Sequence, residues 1–250
     1  MRRLIVMVLG LAMMTSPAVA ADAVVKDGDT VQLGDKVFRL EGIDAPELDQ
    51  RCVNQFADPS ACGIEARDAL VKLIGGRSVA CRDLGPDPVF KGRRLGTCAI
   101  AGETDSLSRR MVQDGFALNA VTGGKDRFAG DEAKARDEHK GLWQGCFVAP
   151  NDFRRWNRDA ALRGAACRED KRAALIDAMF PDTPAMLPGC TIKGKIARRA
   201  RITGNVGLYQ IRGCPSYASL TKPNRWFCSE DDARAAGFRK AYNCRIKTTP

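Results

Sequence analysis

The chain has 250 residues, 44% of them apolar and 28% charged, with 40 Lys and Arg against 30 Asp and Glu, a formal charge of +10. That length and balance suit one or two globular domains with a real core and exclude a disordered or fibrous chain. A single histidine, His139, excludes any mechanism that needs two, such as a three-His zinc site.

In chain order, Arg2 and Arg3 precede an apolar run from Leu4 to Met14, and Ser16-Pro17-Ala18-Val19-Ala20 supplies small residues for a cut after Ala20. The pattern reads as a secretory signal over 1–20. The run is shorter than the ~20 apolar residues that span a bilayer, so no stable membrane insertion is expected after cleavage. Cleavage removes two arginines and no acid, taking the charge from +10 to +8. That excess of base favours a polyanionic partner.

Thr30 to Leu33 and Val37 to Leu40 alternate polar and apolar around Gly34-Asp35, the pattern of strands and a turn. Ala66, Leu70, Leu73 and Ile74 share one helix face that stops at Gly75-Gly76. Val79 to Cys81 and Leu95 to Ile100 read as two more strands. Leu107, Met111 and Val112 form a helix face with Ser106 as a cap and Gly115 past its end. Asp131 to Lys140 reads as a helix closed by Gly141, with His139 in its last turn. Asn151 to Arg163 is basic and reads as helical, and Pro181, Pro184 and Pro188 mark a linker. Thr191-Ile192 and Leu208 to Ile211 are strand-like, and Ser229-Glu230-Asp231-Asp232 opens a short helix ending at Gly237. Strands, a helix, more strands and then helices suit an α+β plan, a small β-barrel carrying helices.

In an oxidising compartment, ten cysteines read as five disulfides. Proximity pairs Cys52 with Cys62, Cys81 with Cys98 across two strands, and Cys146 with Cys167. Cys190, Cys214, Cys228 and Cys244 leave three connectivities open. Intervals of 23, 13 and 15 residues, with no Cys-x₂-Cys pair, favour disulfides over a zinc site for these four.

Three segments carry chemistry: Asp27-Gly28-Asp29-Thr30, Arg39-Leu40-Glu41-Gly42-Ile43-Asp44-Ala45-Pro46-Glu47, and Lys91-Gly92-Arg93-Arg94. Alone, each reads as readily as a turn, a helix entry or a solvated basic loop. Together they offer hard carboxylate ligands suited to Ca²⁺ or Mg²⁺ and arginines that bind phosphate bidentately. A Glu that orders or deprotonates water completes the requirements of phosphodiester cleavage.

These segments resemble the thermonuclease, or staphylococcal nuclease-like, family. Val25 to Leu33 is similar to its first strand, Phe38 to Glu47 to its Arg-Leu-x-x-x-Asp-x-Pro-Glu block, Gly92-Arg93 to its Gly-Arg, Gly63-Ile64-Glu65-Ala66 to its helix opening, and Gly141-Leu142-Trp143 to its close. The resemblance covers residues 23–147. It implies a five-stranded OB-fold barrel with three helices, and calcium-dependent hydrolysis of DNA and RNA that leaves 3′-phosphate ends. By the same resemblance Asp29, Asp44 and the Ala45 carbonyl hold Ca²⁺, Asp27 stands behind them, Glu47 is the base or water-positioning group, and Arg39 and Arg93 grip the phosphate. Two family features are missing. The place before Gly-Arg is Lys91 rather than an aromatic, with Phe90 one earlier, and Asn119-Ala120-Val121-Thr122 stands where base-flanking tyrosines are expected.

The organisation expected is thus a signal over 1–20, a nuclease-like domain over 21–147, a basic helical and Pro-containing segment over 148–189, and a small disulfide-rich domain over 190–250. Around Arg225-Trp226-Phe227-Cys228-Ser229 the last unit resembles a small module found behind bacterial thermonuclease domains, reminiscent of the metal-binding domain of the Ada repair protein. Lys193, Lys195, Arg198, Arg199 and Arg201 form a basic stretch that reads as either a nucleic-acid contact or a solvated face. The expectation is a monomeric secreted or periplasmic enzyme acting on DNA or RNA. The alternatives are a non-catalytic OB-fold module of the cell envelope that binds nucleic acid or oligosaccharide, and a disulfide-built scaffold.

Overall fold

The first sheet is assembled around a hairpin that the alternating segments dictate. In the computed structural model, which describes residues 20–90, 92–121, 124, 126–197 and 202–244, Thr30–Leu33 (β3) pairs antiparallel with Lys36–Leu40 (β4) through a turn at Gly34, whose φ is +58°. Ala20–Ala21 (β1) and Ala23–Val25 (β2) precede it, and Ile43–Asp44 (β5), Cys52–Val53 (β6) and Pro59–Ser60 (β7) follow. Val79–Pro86 (β8) and Arg93–Ile100 (β9) form a long antiparallel pair, and β9 runs parallel to β4. The hydrogen-bonded order is β1-β8-β9-β4-β3-β2.

Against the expected five-stranded OB-fold barrel, the described residues form an α+β arrangement with no closed barrel: the main sheet has an open six-strand order, and β5 pairs with Leu118–Asn119 (β10) in a separate ladder. The break lies at Gly42, whose φ of +80° turns the chain out of β4 before β5 begins.

Cys62–Ile74 (α1) buries Ala66, Leu70 and Ile74 and ends at Gly75 in the left-handed conformation, as its sequence pattern requires. Leu70 and Ile74 join Val31, Leu40, Val79, Cys98, Leu107 and Met111 in the main core. Fully burying one such aliphatic side chain contributes about 1.5–3 kcal/mol. Leu107–Gln113 (α2) is capped by the Ser106 hydroxyl, which accepts from the Arg109 N–H. Ala129–Asp137 (α3) is shorter than expected. His139 lies beyond its end at φ +51° and is solvent-exposed, so it is not part of the helix.

The segment after the first domain is less helical than its composition implies. Only Pro150–Arg154 (α4) forms, with Pro150 at the helix start, because Trp156 takes φ +53° and Arg163 turns back to pair with Phe147. Arg172–Met179 (α5), which the sequence reading did not separate from the linker, packs Leu175, Ile176 and Met179 with Phe153 and Phe180. The last sheet has the order β13-β11-β12-β14, from Ile192–Ile196 (β11), Gly207–Gln210 (β12), Arg225–Phe227 (β13) and Phe238–Lys240 (β14). Glu230–Ala235 (α6) opens with a capping box between Ser229 and Asp232.

All ten cysteines are paired. The three expected bridges are present, and the open connectivity resolves to Cys190–Cys228 and Cys214–Cys244. Among the described residues no helix is long and apolar enough to cross a membrane. Of the expected signal over 1–20, all but Ala20 lies outside the described residues, as do Lys91, Thr122, Arg198, Arg199 and Arg201.

Candidate active site

Three close approaches between glycine and neighbouring chain bring the chemistry-bearing segments together. A Cβ on Gly28 would stand 2.7 Å from the Ala45 Cβ and 2.9 Å from that of Ala66, and a Cβ on Gly63 would stand 1.8 Å from the Glu47 carbonyl. The Asp27–Asp29 turn, the Asp44–Glu47 loop and the first turn of α1 therefore pack at distances only glycine permits. Gln50, fully buried, fixes the same loop: its Oε1 accepts from the Glu47 N–H at 3.2 Å and its Nε2 donates to the Val148 carbonyl at 2.9 Å. Sequence reasoning missed Gln50, since nothing marks it beyond being an uncharged polar residue in a charged loop.

Asp29, Asp44, Glu47 and Arg39 form one ionic cluster. Arg39 Nη2 lies 3.2 Å from Asp29 Oδ2 and 3.0 Å from Asp44 Oδ1, so one nitrogen spans both carboxylates. Asp29 Oδ2 also accepts from the Ala45 N–H, and its Oδ1 from the Thr30 hydroxyl. Asp27 Oδ1 accepts from the Asp29 N–H at 2.9 Å. Arg93 lines the same cleft. Asp87 holds its Nε at 2.8 Å, and Phe90 lies under its guanidinium, 5.2 Å from ring centre to Cζ. Phe90 thus supports an arginine.

Two arginines outside the recognised motifs complete the cluster. Arg154, the last residue of α4, donates from Nη1 to Asp44 Oδ1 and Glu47 Oε1, each at 2.8 Å, and from Nη2 to Asp44 Oδ2 at 2.9 Å. Arg225, on β13, has a side chain 1% exposed. It is bonded to both Asp49 oxygens and lies 3.7 Å from Glu47 Oε2. The rings of Phe153 and Phe227 enclose it at 4.7 and 4.8 Å. Both arginines sit far along the chain from the acids they meet, so no local motif could announce them.

The charges set one another. Burial, with the Asp29 charge beside it, pushes Asp27 up to about 7. Burial opposes ionisation of Asp29, but Arg39 and then Arg93 outweigh it and hold its carboxyl below the usual range. Burial pushes Asp44 up against the pull of Arg154 and Arg39. Asp29 raises the Arg39 pKa, and Glu47 and Asp44 raise that of Arg154 against its own burial, so both remain cations.

The site opens into a cleft of about 850 Å³ lined by Asp29, Arg39, Glu47 and Arg93 together with Trp226, Ser229 and Asp232. Of the basic stretch, the described Lys193 and Lys195 have their amines engaged by backbone carbonyls: Lys193 donates to those of Tyr217 and Leu220, and Lys195 to that of Lys222. Asn119, where an aromatic was expected, staples its own loop by accepting from the Phe128 N–H and donating to Asp126.

The donor chemistry fits a hard cation. Asp29 and Asp44 present oxygen only, within reach of one guanidinium nitrogen, and Ala45 adjoins them. All ten cysteines are tied up in disulfides, so no thiolate is available to favour a softer metal. Among the described residues no group of three or more His, Cys, Asp or Glu is placed to hold a metal, so two carboxylates need backbone or water oxygens to complete a shell.

Residues 37–145 match the model of the staphylococcal nuclease homologue family. Over 143 residues the chain is 31% identical to the succinoglycan biosynthesis protein ExoI of Rhizobium meliloti (strain 1021), covering 55% of this chain and 73% of that one. Over 125 residues, 49% of this chain, it is 37% identical to the probable staphylococcal-like nuclease CAN2 of Oryza sativa subsp. japonica and 36% identical to CAN3 from the same source. It spans 30% and 29% of those two rice proteins. By this match and by the clustering of its motif residues, the chain belongs to the staphylococcal nuclease homologue family.

Proposed function

We propose that the chain is an exported, calcium-dependent nuclease that hydrolyses phosphodiester bonds of DNA or RNA and leaves 3′-phosphate ends. The observation that carries the reading is the convergence of Asp29, Asp44, Glu47 and Arg39 in one ionic cluster, with Arg93 lining the same cleft. The two rice relatives are named as nucleases, and the five disulfides suit an oxidising compartment. In this reading residues 21–147 are the catalytic domain, acting as a monomer, with β2, β3, β4, β8 and β9 as the strands of an OB-type barrel. Residues 190–250 form a small domain that walls the cleft.

Arg39 and Arg93 donate to the non-bridging oxygens of the scissile phosphate and hold the charge that builds there in the transition state. Among the described residues Arg93 is bonded to Asp87 through Nε alone, so its terminal nitrogens are available as donors. Glu47 takes a proton from the attacking water, or orders it, in line with the 5′ oxygen that leaves. Asp29, Asp44 and the Ala45 carbonyl would hold calcium, which supplies further charge neutralisation at the phosphate. Asp27 orients the Asp29 backbone.

The test is hydrolysis of single-stranded DNA and of RNA by the disulfide-intact protein with calcium and with excess chelator. Cleavage that requires calcium and yields 3′-phosphate ends supports the reading. A second reading, a binding module for nucleic acid or oligosaccharide, is favoured by one observation: every oxygen of Asp44 and one of Glu47 is already bonded to arginine. ExoI, named for succinoglycan biosynthesis rather than as a nuclease, fits that reading too. It predicts salt-sensitive binding with no cleavage.

A further inference from the structure

We infer that Arg154 is a built-in competitor for the cation site: its guanidinium must leave Asp44 before a divalent ion can bind, so it sets the calcium concentration at which the site loads. The inference rests on the calcium reading above and adds to it a residue beyond the matched segment 37–145.

The geometry is that of a fork on a carboxylate. Arg154 engages both Asp44 oxygens, at 2.8 and 2.9 Å, and reaches Glu47 at 2.8 Å. Such planar bidentate pairs are the strongest ion pairs a side chain makes. Arg39, by contrast, touches Asp44 through Oδ1 alone. Among the described residues Arg154 is the only group bonded to Asp44 Oδ2, so that oxygen becomes free when Arg154 departs and not otherwise.

Charge makes the same point. Asp29, Asp44, Glu47 and Asp49 as carboxylates meet three cations, Arg39, Arg154 and Arg225. With Arg154 in place the cluster carries a single net negative charge, and without it two, the charge that a divalent ion neutralises.

Departure needs no refolding. The backbone of α4 is fixed by Phe153, 2% exposed and packed 5.5 Å from the Phe180 ring, independently of the Arg154 side chain. The Arg154 side chain is 19% exposed and borders the open cleft, so it swings from the acids into solvent or toward a bound polyanion. The site is then poised for a compartment rich in calcium, where millimolar ion outcompetes an internal cation that micromolar ion does not.

The experiment is calorimetric titration of the full disulfide-bonded protein with calcium chloride, in the absence of nucleic acid. The variants are Arg154→Gln, Arg154→Lys and, as a control for net charge, Arg109→Gln, whose partners Asp105 and Asp131 lie outside the cluster. Arg154→Gln is expected to bind calcium at least about tenfold more tightly than the wild type. Arg154→Lys, which keeps the charge but not the fork, is expected between the two, and Arg109→Gln at the wild-type value. Calcium binding by Arg154→Gln that equals or falls below the wild type overturns the inference. If Arg154→Gln does not fold, as judged by circular dichroism, an Arg154→Lys affinity no tighter than the wild type overturns it. Absence of calcium binding in wild type and variants alike overturns the calcium reading together with this one, whereas equal binding overturns this one alone.

Discussion

Arg225 and Asp49 join the last sheet to the loop that carries Glu47. The guanidinium, fully buried between the Phe153 and Phe227 rings, bonds both oxygens of a carboxylate two residues beyond Glu47, across 176 residues of sequence. Removing one partner of a buried pair leaves the other charge uncompensated, at a cost of about 3–5 kcal/mol. Arg225→Ala is therefore expected to lower the thermal midpoint by many degrees and to reduce cleavage at temperatures where the protein remains folded. Differential scanning calorimetry beside a cleavage assay checks both.

Gly63 admits no side chain. A Cβ there would collide with the Glu47 carbonyl at 1.8 Å, and that neighbour is backbone rather than the end of a flexible chain. Overpacking of this kind costs about 1–3 kcal/mol or more. Gly63→Ala is expected to lose stability in denaturant and also to displace Glu47. Activity should therefore fall further than stability explains. Gly130→Ala in α3, where a Cβ would meet nothing within 4 Å, serves as the comparison for a helical glycine without the collision.

The motif geometry and part of the fold were legible in the sequence because they are local. Alternation around Gly34, the apolar face of α1 and the capping box at Ser229 each follow from residues a few positions apart. Asp-Gly-Asp and Asp-Ala-Pro-Glu could be joined to Gly-x-Glu-Ala because glycine permits the contacts at Gly28 and Gly63. What stayed hidden is long-range. Arg154 and Arg225 meet their acids only through tertiary packing, as does Gln50 with Val148. The basic composition of 151–163 implied helix, but the left-handed Trp156 and the Phe147–Arg163 bridge end it after one turn. Lys193 and Lys195 looked like an open basic face, yet their amines are spent on backbone carbonyls.

Asp27 predicts a pH dependence of stability. Its folded pKa of about 7 lies above the ordinary carboxyl value, so between the two the folded state binds a proton that the unfolded state releases. Its contribution is most favourable below the unfolded pKa and is lost as pH rises toward about 7, by at most about 1.4 kcal/mol per pH unit. In chelator, Asp27→Asn is expected to be more stable than the wild type at pH 8 and to lose that advantage by pH 4. Denaturant midpoints across that range test it.

Arg39 and Arg93 are expected to act on the transition state more than on binding. Arg39→Ala or Arg93→Ala should lower kcat by about 10²–10³, with a smaller change in KM, because bonds to the phosphate strengthen as its charge builds. For Arg93, the Asp87 pair and the Phe90 ring keep the guanidinium in place, so Arg93→Lys should not restore the rate. Steady-state kinetics on a short single-stranded oligonucleotide distinguishes the two parameters.

The account turns on Glu47, the one carboxylate assigned to water rather than to metal. The most direct measurement is the single-turnover rate of phosphodiester cleavage, with saturating calcium, by the wild type and by Glu47→Gln, a variant that keeps size and hydrogen bonding but cannot accept a proton. The account predicts calcium-dependent cleavage by the wild type and a loss of about 10²–10⁴ in the variant. Cleavage by Glu47→Gln at the wild-type rate, or no cleavage by the wild type in calcium, would contradict it.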